Sequence, residues 1–411
     1  MKNVAKVGTG VLIAQVIALV FSPVISRLYT PDEIGIFSFF SSGVIICTLF
    51  VTLTIEYAIV LAEKKQESSD LTKLSLILST ALSALLFGLS FLVADTLSVI
   101  FNVPALALIL LPLGALSHAW FNTGYQLHIH RKEFKNMSVA KVAQTGSMVS
   151  IQSLLPLVGF SYSGLILGYL AGRAISTFLL FRNFSDVLIN KILDRWKLLF
   201  KNYADHPAYV FPSSLLSSLS QQLPMLAIAP IFGSVLLGFY GLAFRVLMLP
   251  ITLISTSTGS VFFQNFSESY NKQKPLKSKL LKTWGALFAI GFIPFLILFL
   301  HSEPIFEFVF GAQWTQSGTI SVILSPMLFL MFIFTATSKS LLVMEKKRWM
   351  PINSFLGLLA KGVALYIGFL ENDFYLFIVV LSIAQSFVYI FQILQIYYFA
   401  SQHDAQLKSH A

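Results

Sequence analysis

The chain reads as an all-α polytopic membrane protein, with twelve transmembrane helices in two bundles of six and both termini on the inner side. Three observations lead to that fold class. Of 411 residues, 56% are hydrophobic and only 11% charged, against roughly a quarter charged in an ordinary soluble chain. Apolar segments of about 20 residues, the length that crosses a bilayer, recur along the whole sequence. The basic residues collect at alternate connections between those segments.

So few charges cannot dress a globular surface, whereas lipid contact needs none. The apolar segments are 7–28, 35–61, 74–94, 104–127, 138–158, 164–181, 208–232, 235–257, 280–300, 317–342, 351–370 and 374–398. The first is a full span long with no small-residue cleavage site behind it, so it is expected to stay as a helix rather than be removed as a signal peptide. With the N-terminus inside, the inner connections carry 23 of the 28 basic residues, Lys64, Arg131, Lys141, Lys277 and Arg348 among them. The outer connections, near residues 30, 100, 160, 233, 305 and 372, carry none. The net charge of +10 is therefore read as inward-facing loops and not as a nucleic-acid surface. The single cysteine, Cys47, excludes a disulfide framework and a thiolate metal cluster.

The middle of the chain differs. Residues 184–203 place Leu188, Ile192, Trp196, Leu199 and Tyr203 at helical spacing, with Lys191, Arg195, Lys197 and Lys201 mostly between them. This pattern predicts a basic amphipathic helix on the inner leaflet, or a plain linker helix. The expected organisation is a first six-helix bundle over 1–183, a linker over 184–206, a second bundle over 207–400 and an inner tail over 401–411. The halves also echo each other. Tyr29 is followed six residues later by Gly35, and Phe232 by Gly238, an offset of 203. Both pairs sit at the outer turn after the first span of their half, which predicts parallel repeats about an axis along the membrane normal.

Five basic residues remain within apolar segments: Arg27, Arg173, Arg245, Lys339 and Lys361. A cation near mid-span costs upward of about 2.5 kcal/mol. Arg27 and Lys339 lie near span ends, where long side chains reach the headgroups. Arg173, Arg245 and Lys361 lie near mid-span, and only one carboxylate, Glu56, is expected within a span. One acid cannot neutralise them all, so a cavity that takes an anionic ligand is expected, with arginine suited to phosphate oxygens. Glu56 has two readings, as a salt-bridge partner of one cation or as a proton- or sodium-linked carboxylate. His118 is either a simple hydrogen-bonded histidine or a proton relay. No spacing of His, Cys, Asp and Glu suits a metal, and no nucleotide loop, nucleophile elbow or carboxylate pair is present, so neither cofactor nor enzyme chemistry is expected. Prolines such as Pro23, Pro112 and Pro326 interrupt spans as static kinks or as hinges.

At this point "SRLYTPDEIGIFS" (26–38), the stretch 206–250, "FVFGAQWTQSG" (308–318) and "SPMLFLMFIFTATSKSLLVMEKKR" (325–348) together resemble bacterial polysaccharide biosynthesis membrane proteins, the Wzx-type O-antigen flippases. With the span layout the resemblance covers nearly the whole chain. It implies membership of the multidrug/oligosaccharidyl-lipid/polysaccharide exporter superfamily, with two six-helix bundles (MATE-like) around a central cavity. It implies a flippase that moves undecaprenyl-pyrophosphate-linked oligosaccharide across the bacterial inner membrane, with proton or sodium coupling, beside a polysaccharide polymerase and chain-length machinery. On that model Arg173, Arg245 and Lys361, with Arg27 and Lys339, would meet the pyrophosphate, and Glu56 and His118 would be the coupling candidates. Only Arg27 sits in a matching motif. The alternatives are a multidrug antiporter of the same fold, whose cationic drugs favour carboxylates over bases, and a membrane glycan ligase or polymerase, which calls for larger outer loops than these.

Overall fold

The computed structural model describes residues 2–182, 199 and 202–409. Twelve long helices follow one another: α1 (Lys2–Leu28), α2 (Pro31–Thr52), α3 (Lys65–Phe101), α4 (Ala105–Arg131), α5 (Phe134–Leu154), α6 (Tyr162–Phe181), α7 (Phe211–Phe232), α8 (Ser234–Asn271), α9 (Lys277–Phe310), α10 (Thr315–Thr337), α11 (Trp349–Leu370) and α12 (Phe374–Ser409). Eleven of these twelve are long and apolar enough to cross a membrane. The exception, α5, carries Lys135, Lys141, Gln144 and Gln152, yet it packs between α1 and α6. Most of the expected linker helix, with Lys191, Arg195, Lys197 and Lys201, lies outside the described residues.

The described helices fall into two compact units, Met1–Gly238 and Phe239–Ala411, with the boundary inside α8. In the first, α7 packs along α2, α4 packs against α2, α3 and α6, and α5 joins α1 to α6. At its inner end Ile55, Ile59, Leu71 and Leu127 form a buried cluster that takes Leu199 and Tyr203 from the end of the linker segment. Tyr203 also donates its hydroxyl to Glu67 Oε1 at 2.9 Å. In the second unit α10 packs against α8, α9 and α12, and α11 against α12.

Local sequence sets the helix ends. Thr30 caps α2: its side chain accepts from the Glu33 amide at 3.4 Å, and Glu33 Oε2 accepts from the Thr30 amide at 2.7 Å. Pro31 supplies the first helical residue, and Asp32 and Glu33 place negative charge at the positive end of the helix dipole. The second span was expected over 35–61, but α2 stops at Thr52. Leu53 and Thr54 adopt left-handed backbone at φ 47° and 60°, which non-glycine residues rarely do and which no α-helix can absorb. A 3₁₀ turn, Ile55–Tyr57, and a single turn, Ala58–Leu61, follow. Glu56 therefore lies beyond the spanning helix and not within it. Two other helices carry internal irregularities. In α8 a π-helical stretch, Ile251–Ser255, follows Pro250, and in α9 His301 leaves helical geometry three residues before Pro304.

The turns that echo each other in sequence meet in space. A methyl group on Gly35 would collide with the carbonyl oxygen of Ser234, and one on Gly238 would collide with the carbonyl oxygen of Pro31. Residues 31 and 35 are thus matched by 234 and 238, the same offset of 203. The crossing is reciprocal, and the two helix starts touch backbone to backbone, as only glycine allows. Asp32 accepts a hydrogen bond from the Ser234 hydroxyl at the same place.

Two outcomes follow from this architecture. Gly35→Ala and Gly238→Ala should each destabilise the purified protein by about 1–3 kcal/mol through overpacking. Gly88→Ala, where no atom lies within 4 Å of the added carbon, should leave the melting temperature level or slightly raised. Equal melting of all three would remove the crossing as a constraint. The second outcome concerns Glu56, which is 1% exposed. Burial pushes its carboxyl up to about 7. A folded-state pKa above the unfolded one means that the folded protein holds the proton more tightly. The contribution is complete below the unfolded value and is lost as pH rises through 7, with a slope of at most about 1.4 kcal/mol per unit. Glu56→Gln should flatten the fall in melting temperature between pH 5 and pH 8, and an unchanged profile would contradict this.

Candidate functional site

Inside the first unit three helices converge on one aromatic ring. Helix α4 presents His118, Phe121 and Tyr125 at spacings of three and four, so they share a face. Helix α6 presents Tyr169 and Arg173 in the same way. Helix α5 supplies Lys141 and Gln144. Helices α5 and α6 approach closely because Gly168 lies against Met148 and Gln152, and Gly172 against Met148 and the Gln144 carbonyl. Phe37 and Phe40 of α2 pack against the Tyr169 ring, with centroids 6.2 and 5.9 Å away, and fix its position.

The guanidinium of Arg173 lies 4.7 Å from the centroid of Phe121 and 5.4 Å from that of Tyr169. The ammonium of Lys141 lies 5.5 Å from the same Phe121 centroid and donates to Gln144 Oε1 at 3.3 Å. The Tyr169 hydroxyl and His118 Nδ1 are hydrogen-bonded at 3.3 Å. Arg173 is only 8% exposed, and its Nε and Nη1 have no hydrogen-bond partner among the described residues. Neither Arg173 nor Lys141 forms a salt bridge among the described residues.

The energetics are unusual. A cation over an aromatic face gains about 0.5–2 kcal/mol, but the ring does not neutralise it. Each unsatisfied buried donor costs about 1–3 kcal/mol, and two like charges beside one ring add repulsion. An anion with several acceptor oxygens would remove all three costs together. It would accept from the free edge of Arg173, pair with Lys141 and leave the aromatic walls in place.

Of the seven residues singled out from sequence, the structure brings together two, Arg173 and His118. It adds Lys141, which the charge sorting had assigned to an inner connection. Lys141 instead sits seven residues, roughly 10 Å, into α5. It already fell within the apolar segment 138–158, and its spacing from Gln144 was the available signal. Arg27 is exposed in the last turn of α1, where a cation complements the helix dipole. In the second unit the three other cations lie on separate elements. Arg245 is exposed in α8, and Lys361 is half-buried in α11 and has interactions of its own. Lys339 is exposed just past α10, 5.7 Å from the Phe263 ring. Glu56 forms no ion pair with any of the five among the described residues. The break at Leu53 and Thr54 carries Glu56 past the end of α2, and the salt-bridge reading finds no partner among the described residues. No group of three His, Cys, Asp or Glu residues that could hold a metal occurs among the described residues.

Comparison with known proteins places this arrangement in context. The chain is 23% identical over 319 residues to the capsular polysaccharide biosynthesis protein CapF of Staphylococcus aureus, covering 74% of this chain and 75% of CapF. Its fold is similar to that of the lipid II flippase MurJ in an inward closed conformation, with a TM-score of 0.75 at 14% identity over 98% of this chain and 90% of that one. It is similar also to an inward-facing multidrug resistance transporter of the MATE family, with a TM-score of 0.73 at 18% identity over 98% and 96%. These likenesses show a polytopic membrane protein of the MATE fold. Residues 24–319 match the family described as "Polysaccharide biosynthesis protein", and the chain belongs to that family.

Proposed function

We propose that this protein is a flippase for a lipid-linked oligosaccharide, and that its substrate carries an undecaprenyl-pyrophosphate anchor. The observation that carries this reading is the Phe121 cluster, in which a buried arginine with two unpaired donors and a lysine share one ring with no carboxylate partner among the described residues. A diphosphate supplies the acceptors and the negative charge that this cluster lacks. The family and the flippase fold support translocation in the bacterial inner membrane without covalent chemistry. Arg245 and Lys361, with Arg27 and Lys339 at span ends, would offer further cationic positions along the way. Coupling to H⁺ or Na⁺ would fall to Glu56 or His118. A cationic drug would meet repulsion at Arg173 and Lys141, which disfavours the multidrug reading despite the shared fold.

Truncating one member of a buried charge pair costs roughly 2–5 kcal/mol. Arg173→Ala and Lys141→Ala should therefore each reduce surface glycan by at least about tenfold in a flippase-null strain, at unchanged protein level. Lys141→Arg should restore most of it, since charge is kept. Full glycan display in both alanine variants would refute the assignment.

A further inference from the structure

Two of the three helices that form the cation cluster, α4 and α6, also line a second feature. Between α3, α4 and α6 runs an apolar groove of about 860 Å³, near the upper end of the range for small-molecule sites. Its lining mixes small residues, Ala81 and Ala84 of α3 and Ala174 of α6, with bulky ones, Ile77, Trp120 and Phe178. The three alanines are exposed, so the groove lies open along the unit's flank.

We propose that this groove holds the polyisoprenoid chain of the substrate while its diphosphate rests on Arg173 and Lys141. The inference rests on the flippase reading above and adds where the lipid portion is held. Neighbouring residues serve the two features. On α4, Trp120 lines the groove and Phe121 carries the cations. On α6, Ala174 lines the groove and Arg173 is the cation, and Thr177, one turn on, lines the groove with a buried hydroxyl that has no hydrogen-bond partner. An amphiphile with an anionic head and an apolar chain matches that juxtaposition, with α6 contributing to both features and α5 adding Lys141 to the first. The charge favours a diphosphate over a zwitterionic headgroup, because two cations without an acid need about two negative charges.

The experiment uses the purified full chain with three probes: undecaprenyl diphosphate, inorganic pyrophosphate and dioleoyl phosphatidylglycerol. Ala84→Phe and Ala174→Leu, placed on different helices, each grow a side chain into open groove and not into core. Melting temperature is read beside binding, so a variant that misfolds is set aside in favour of the other. Filling the groove should weaken undecaprenyl diphosphate by at least about tenfold, as apolar contact area is lost, and leave pyrophosphate within about twofold. Undecaprenyl diphosphate binding equal to wild type in both variants would overturn the groove assignment and leave the flippase reading standing. Phosphatidylglycerol binding that falls as far as that of undecaprenyl diphosphate would also overturn it, as an ordinary lipid contact. Wild type that binds neither diphosphate would overturn both readings together.

Discussion

The organisation of the first unit depends on one electrostatic constraint: Arg173 and Lys141 lie against a single ring, Phe121, within a membrane-spanning bundle and without a carboxylate partner among the described residues. Arg173 is largely shielded from water, and the ring attracts both cations without cancelling them. Much of the surrounding sequence serves to hold this unfavourable arrangement. Gly168 and Gly172 bring α5 against α6, and Phe37 and Phe40 brace Tyr169. Gln144 takes one donor of Lys141. Natural cores tolerate such a cost where a ligand removes it, and the unpaired edge of Arg173 indicates which kind of ligand would do so.

Much of the fold was legible because the bilayer restricts the choices. Helices must satisfy their own backbone, so apolar length gives their number, and the placement of bases gives their direction. The match between Tyr29–Gly35 and Phe232–Gly238 was weak as text, yet it marked two turns that interlock through Gly35, Ser234, Gly238 and Pro31. The site was less legible. Lys141 sits on the most polar of the twelve helices, where hydropathy blurs the line between loop and span. Glu56 follows an unbroken apolar run, and nothing in the residue types of Leu53 and Thr54 announces left-handed backbone. Arg173 was legible because a cation in the middle of an apolar segment has few bland explanations.

The framework is shared with solved structures at 14–18% identity, so it does not depend on most of the side chains. What is local to this chain is a pair of bases on α5 and α6, an aromatic ring on α4 and an apolar groove lined in part by alanine. A carboxylate in place of either base would cancel the cluster's net charge and remove its preference for an anion.

The most direct measurement is a competition at the cluster itself. Purified protein is titrated with fluorescently labelled farnesyl diphosphate, and the label is displaced by inorganic pyrophosphate or by a lipophilic cation such as tetraphenylphosphonium. The account predicts saturable binding that salt weakens, that pyrophosphate displaces and that Arg173→Ala abolishes, with no effect of the cation. Saturable binding of the cation, with none of the diphosphate, would contradict it.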